Sequence, residues 1–261
     1  MTGRHLILFF AFTLLFGAAA SAQTADEVVQ KNIEARGGLQ KIKAIKSVRA
    51  TGKLTVEASG VELAITIQQK RPNAYRLDAT FQGQSVIQAY DGETGWQINP
   101  FENINEPEKL IGDELRDAQE QADFDGPLVG YKAKGHTVEL MGKEAVRGKP
   151  AYKLKLTLKS GDVRTIYIDA ASYLELRVTT TRRVNGGLRE MDIYPGDYKP
   201  ADGVLFPYSI EQQVGGQMQV QIALDKVEVD APVDAAAFKL PAKAADKPKA
   251  EEKPKDKPPA E

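Results

Sequence analysis

The chain has 261 residues, 35 Lys and Arg against 36 Asp and Glu, two His and no Cys. The missing Cys excludes disulfides, thiolate metal sites and a lipid-modified N-terminal Cys, and a formal charge of −1 gives no electrostatic case for nucleic acid. The length, less its two ends, suits one substantial core rather than two domains.

Arg4, an apolar run from Leu6 to Phe16 and the small residues Ala20-Ser21-Ala22 before Gln23 form a secretory signal-peptide pattern over residues 1–22, with cleavage expected after Ala22. The run is short for a bilayer span, which needs roughly 20 residues, so an uncleaved anchor is the weaker alternative. Residues 242–261 mix Pro with charges of both signs and hold no apolar residue larger than Ala, so they read as a solvated, disordered tail. The expected folded unit is residues 23–241.

Thr24 and Glu27 fit a capping box opening a helix with Val28, Val29 and Ile33, which Gly37-Gly38 should end. A second helical piece is expected from Leu39 to about Lys46. From Ser47 the period switches to two, and a turn at Ser59-Gly60 makes a hairpin with Val61 to Ile67. Further strands are expected at Ala74 to Phe81, Ser85 to Tyr90 and Gly95 to Ile98. After His136, six more candidates precede a last strand from Gln217 to Val229, which makes about twelve in all. The one long interruption, Asn99 to about Tyr131, is expected to hold a helix over Glu108 to Gln121. Pro107 would start that helix, Leu110, Ile111, Leu115 and Ala118 would form its apolar stripe, and Asp113, Glu114, Asp117 and Glu120 would lie on a solvated side.

Strands that are apolar on one face only need covering by helices, by barrel closure or by a ligand. Three helical segments are few for so many curved strands, and an apolar cavity is the expected result. Within this pattern Arg71 is anomalous. It falls in phase with Val61, Leu63, Ile65 and Ile67, so the strand aims a guanidinium at the apolar side, where it needs a hydrogen-bonding partner.

Little else suggests chemistry. Past the signal peptide the sole histidine is His136, at a strand edge, with no H-E-x-x-H metal motif and no G-x-S-x-G elbow. Asp91, Glu93 and Asn99 lack the order of a calcium loop and read better as a turn. Lys153, Lys155 and Lys159 alternate with apolar residues as a wet strand face. Trp96, the only tryptophan, either lines the mouth of the cavity or plugs the core. No cofactor is expected.

Lys70-Arg71-Pro72-Asn73, followed by Asp91-Gly92-Glu93-Thr94-Gly95-Trp96-Gln97-Ile98-Asn99-Pro100-Phe101 and closed by Val233-Asp234-Ala235-Ala236-Ala237-Phe238, resembles in order and spacing the periplasmic lipoprotein carriers of the LolA type. The resemblance implies a mainly β fold: an unclosed antiparallel barrel of about 11–12 strands, lidded by helices, with an apolar interior that shelters lipoprotein acyl chains in the periplasm on their way to the outer membrane. It also implies an inner-membrane release complex and an outer-membrane acceptor as partners, and gives Arg71 the role of gate through hydrogen bonds to lid-helix carbonyls. Leu110, Ile111 and Leu115 are the candidate lid residues.

With the apolar parities, the same fold gives the candidate lipid-binding residues. These are Leu54, Val56, Leu63, Ile65 and Ile67 in the first hairpin, Tyr75, Leu77 and Phe81 in the next strand, Trp96 at the mouth, and Leu154 and Leu156 further on. A monomer is expected. An envelope sensor or scaffold of the same fold is the alternative, and a secreted hydrolase is a third reading. The hydrolase is disfavoured because Glu62 and Asp78 lie on the polar parity.

Overall fold

The computed structural model describes residues 23–184 and 187–241; the signal peptide expected over 1–22 and the tail over 242–261 lie outside the described residues. Helix α1 (Ala25–Ala35) opens on the capping box, with the Thr24 hydroxyl accepting from the Glu27 amide at 3.2 Å and the Glu27 carboxylate accepting from the Thr24 amide at 2.9 Å. Helix α2 (Leu39–Ala44) follows the two glycines.

The chain then runs up and down through β1 (Ser47–Val56), β2 (Val61–Lys70), β3 (Ala74–Phe81), β4 (Gln84–Tyr90) and β5 (Gly95–Asn99). A 3-10 turn at Pro100–Glu102 leads into β6 (Ile104–Lys109) and then α3 (Gly112–Gln121). Here the structure corrects the sequence reading: Pro107 begins no helix and lies in β6, and α3 starts only at Gly112. Strand β6 pairs with β5 on one side only, and an edge strand tolerates a proline because it needs no amide donor on its free side.

The second half is β7 (Thr137–Val146), β8 (Lys149–Thr157), β9 (Val163–Asp169), β10 (Glu175–Val184), β11 (Gly187–Ala201), β12 (Val204–Val214) and β13 (Gln217–Val229). All thirteen strands form one sheet in the order β6-β5-β4-β3-β2-β1-β13-β12-β11-β10-β9-β8-β7. Every pairing is antiparallel, and β6 and β7 do not meet, so the barrel is unclosed. The strand beyond the expected number is β6, whose alternation is hidden by its charges and its proline.

The first and last strands lie side by side at the centre. Their seam shifts register between Thr51 and Gly52, where a Cβ on Gly52 would stand 2.2 Å from the Ala223 carbonyl oxygen, so only glycine allows this approach.

Helices cover the concave face in three patches. Val28 and Val29 of α1 pack with Leu154, Leu156, Ile166 and Ile168. Ile42 of α2, with Ile45, covers Val48, Ala50, Val204 and Val227. Leu110 and the α3 residue Ala118 pack on Tyr75 and Tyr90. A fourth apolar patch contains strand residues alone: Leu63, Ile65 and Ala79, bordered by half-buried Leu54, Val56, Leu77, Phe81, Val86 and Ile222.

Candidate functional site

The register fixes which face each residue serves. Ala50 pairs with Ile67 and Val48 with Gln69, and the Arg71 amide extends the ladder by donating to the Lys46 carbonyl at 2.9 Å. Arg71 thus starts on the concave side, below the end of α2. Its Nε donates to the Ile45 carbonyl at 2.6 Å and one terminal nitrogen to the Ile42 carbonyl at 2.8 Å. Carbonyls at a helix C-terminus lack intrahelical partners and carry the negative end of the dipole, so a cation is favoured there.

The fork of the same guanidinium grips Asp125 in two hydrogen bonds, and its plane lies 4.4 Å from the centre of the Phe124 ring. Lys43 also donates to Asp125. Burial pulls the Asp125 pKa upward, and the hydrogen bonds from Arg71 and Lys43 more than offset it, leaving the carboxylate below its ordinary range. One side chain therefore clasps β2, α2 and the loop after α3. Asp125, Phe124 and Lys43 escaped the sequence reading; a single acid in a loop 54 residues from its partner gives no local signal.

The C-terminal half of α3 is held from two walls. Gln69 Nε2 donates to the Gln121 carbonyl at 2.8 Å. On the opposite wall Arg164 of β9 and Arg182 of β10 both bind Glu120, and Arg182 reaches Asp117 at 2.9 Å. Asp117 and Glu120 are thus ion-paired to the sheet, which overturns the solvated reading for those two acids. Asp113 pairs with Arg116 on the helix itself, and Glu114 is exposed. Close approach on the other side needs Gly95, where a Cβ would sit 2.9 Å from Leu115 and 3.1 Å from Leu110.

The structure divides the candidate lipid-binding residues. Leu54, Val56, Leu63, Ile65, Leu77 and Phe81 share the unroofed strip, with Ile67 at its border. Tyr75 lies beneath α3. Leu154 and Leu156 are fully buried beneath α1, where they pack as core. Trp96 is on the other face: it pairs with Ala89, which pairs with Arg76, and its indole donates to the Phe238 carbonyl at 2.8 Å under a C-terminal 3-10 turn (Ala235–Phe238). Trp96 therefore neither lines a mouth nor faces the strip. Of the lid candidates, Leu110 is buried, Leu115 half-buried and Ile111 58% exposed, outside the apolar stripe assigned to it. That stripe was traced on a helix begun too early.

The three sequence segments behind the resemblance meet in space. The Lys70 ammonium donates to the Val233 carbonyl at 3.1 Å, the Arg76 guanidinium to the Ala237 carbonyl at 2.6 Å, and Asn73 packs against Gly92. Asp91 Oδ1 accepts from the Glu93 and Thr94 amides at 3.0 and 2.7 Å, which makes it a turn residue. Lys153 and Lys155 pair with Glu144 and Glu139 as a solvated outer face.

No protein-family model matches the sequence, and no curated protein does. Solved structures do match in shape. A DUF1329 family protein from Desulfovibrio piger superposes with a TM-score of 0.57 at 12% identity, over 82% of this chain and 97% of the other. A LolA superfamily protein from Nitrosomonas europaea gives 0.55 at 14% identity, over 84% and 98%. A putative outer membrane lipoprotein-sorting protein domain from Vibrio parahaemolyticus gives 0.54 at 12% identity, over 81% and 94%. These identities make the likeness one of fold, and the fold is the open half-barrel of the LolA-like proteins.

Proposed function

We propose that this chain is an exported carrier, working in the periplasm, that shelters the acyl chains of lipoproteins or other lipids and hands them to an acceptor at the outer membrane. The observation that carries the reading is the fourth apolar patch: a strip on the concave wall, from Leu54 and Val56 across Leu63 and Ile65 to Leu77 and Phe81, that no helix among the described residues covers. A contiguous apolar wall of this kind, buried at its centre, only half-buried at its border and without a helix packed on it, suits a binding site. An acyl chain suits it, because burial at roughly 0.8 kcal/mol per methylene supplies affinity without any polar recognition. The named neighbour from Vibrio parahaemolyticus supports the same reading.

Arg71 is the gate in this proposal. Its bonds to Ile42, Ile45 and Asp125 hold α2 and the loop after α3 over the wall next to the strip. A longer or second acyl chain needs the space beneath them, and entry then breaks the clasp. Delivery follows when an acceptor binds the chains more tightly than the strip does. An inner-membrane release complex would load the carrier.

Gentle purification from a periplasmic extract, solvent extraction and mass spectrometry test the proposal. Co-purifying acyl lipid or lipoprotein at near-stoichiometric amount is the expected result, and clean protein would sink it. Transfer of the cargo between vesicles separates a carrier from a sensor, which binds and delivers nothing.

A further inference from the structure

A cleft of about 230 Å³ opens on the rim of the half-barrel, away from the apolar strip, between the C-terminal half of α3 and the turn joining β8 to β9. Each of its acidic side chains already has a partner. Glu120 takes Arg164 and Arg182, both Asp123 oxygens take the Lys134 ammonium at 2.6 and 2.7 Å, and Asp162 takes the Ser160 hydroxyl at 2.7 Å.

Not every donor there has one. No described residue accepts from the Lys159 ammonium or from His136 Nε2. The His136 Nδ1 accepts the Lys159 amide at 3.0 Å, so in the neutral ring the proton sits on Nε2. Arg164 also lines the cleft, and its Nε is buried without a partner among the described residues. A buried donor left unpaired costs free energy that an acceptor-rich ligand recovers. Burial also lowers the Arg164 pKa, the mark of a guanidinium stripped of water.

We propose that this cleft binds a phosphate group, held by His136, Lys159 and Arg164. Phosphate offers several acceptor oxygens in a volume the cleft accommodates, whereas a cation would find Glu120 and Asp123 already ion-paired. Formal charges around the cleft nearly cancel, so selectivity rests on unpaired donors rather than on net attraction. The site also touches the lid. Arg164 is shared with Glu120 of α3, and a phosphate drawing on that guanidinium competes with the helix for it.

The phosphate is either free or the head group of a lipid. Calorimetric titration of the full mature chain at neutral pH with inorganic phosphate, dihexanoyl phosphatidic acid and uncharged dihexanoylglycerol distinguishes these. Saturable binding of at least one phosphate-bearing probe is expected, weakened about tenfold or more by the double substitution His136→Ala/Lys159→Gln and unaffected by Lys153→Gln/Lys155→Gln on the outer face. Phosphatidic acid binding more tightly than inorganic phosphate, by a margin that His136→Ala/Lys159→Gln removes, assigns a lipid head group; a margin that survives the substitution belongs to the strip and, like equal affinities, assigns free phosphate. Absence of binding by both phosphate probes, or binding indifferent to the first double substitution in a protein with unchanged unfolding midpoint, overturns the proposal. Dihexanoylglycerol reports on the apolar strip alone, so its failure to bind counts against the carrier reading and leaves the phosphate site standing.

Discussion

Arg71 and Asp125, 54 residues apart in the chain, face each other in a two-point ion pair in which the carboxylate is the deeper partner, 6% exposed against 25% for the arginine. Removing the arginine strands a buried carboxylate with only Lys43, and frees two helix carbonyls. Arg71→Leu is expected to cost about 2–4 kcal/mol in urea unfolding. It should also speed hydrogen exchange in α2. Arg71→Lys keeps the charge and loses the fork, so it should fall between the two. If both substitutions leave α2 as protected as before, Arg71 is no clasp.

The same pair sets a pH dependence. The folded-state pKa of Asp125 is depressed, so its contribution to stability is fully present above the ordinary carboxylate range, near pH 4, and is lost as pH falls through the lower folded value. Unfolding free energy measured from pH 7 down to pH 2 should drop less steeply in Asp125→Asn than in the parent. Parallel curves would contradict this. The pair therefore stays ionised at neutral pH, and in the proposed function it is cargo rather than acidity that opens the clasp.

Charge placed in the apolar strip should weaken acyl binding without unfolding the protein, because Leu77 and Phe81 are only half-buried. Leu77→Glu or Phe81→Glu is expected to weaken binding of a fluorescent fatty acid about tenfold or more. Leu154→Ala, beneath α1, should instead destabilise the fold by about 2–5 kcal/mol. An intact affinity in both strip variants would move the cargo elsewhere.

Trp96 supplies a control on the opposite face. Trp96→Phe removes the hydrogen bond to Phe238 and should cost about 1 kcal/mol of stability, with acyl binding unchanged. A loss of affinity exceeding the loss of stability would place it back among the cargo contacts.

The strand pattern was legible because period-two alternation is strong where one face is wet, and β9 and β13 begin and end where that pattern does. The anomaly of Arg71 was legible for the same reason: parity assigns a face. What escaped has a common physical origin. The alternation of β6 is carried by Asn, Glu and Pro rather than aliphatic residues, so an edge strand read as the start of a helix. Asp125, and the link from Glu120 to Arg164 and Arg182, are contacts across the barrel, and no window of sequence contains both partners. Trp96 was misplaced because size and hydrophobicity do not say which side of a sheet a residue serves; its strand partner Ala89 does.

The central seam between β1 and β13 also governs how the molecule can be made. Strands β1 to β6 and strands β7 to β13 each join by local turns, yet the two meanders touch within the sheet only where the first strand meets the last. Contacts so distant in sequence form late, since the loop they close spans nearly the whole folded chain. A chain emerging N-terminus first completes neither its sheet nor the wall beside its apolar strip until Gln217–Val229 has arrived. Until then the strip, whose centre lies in β1 to β3, lacks the Ile222 and Leu224 that border it, and the groove proposed to hold lipid is unfinished.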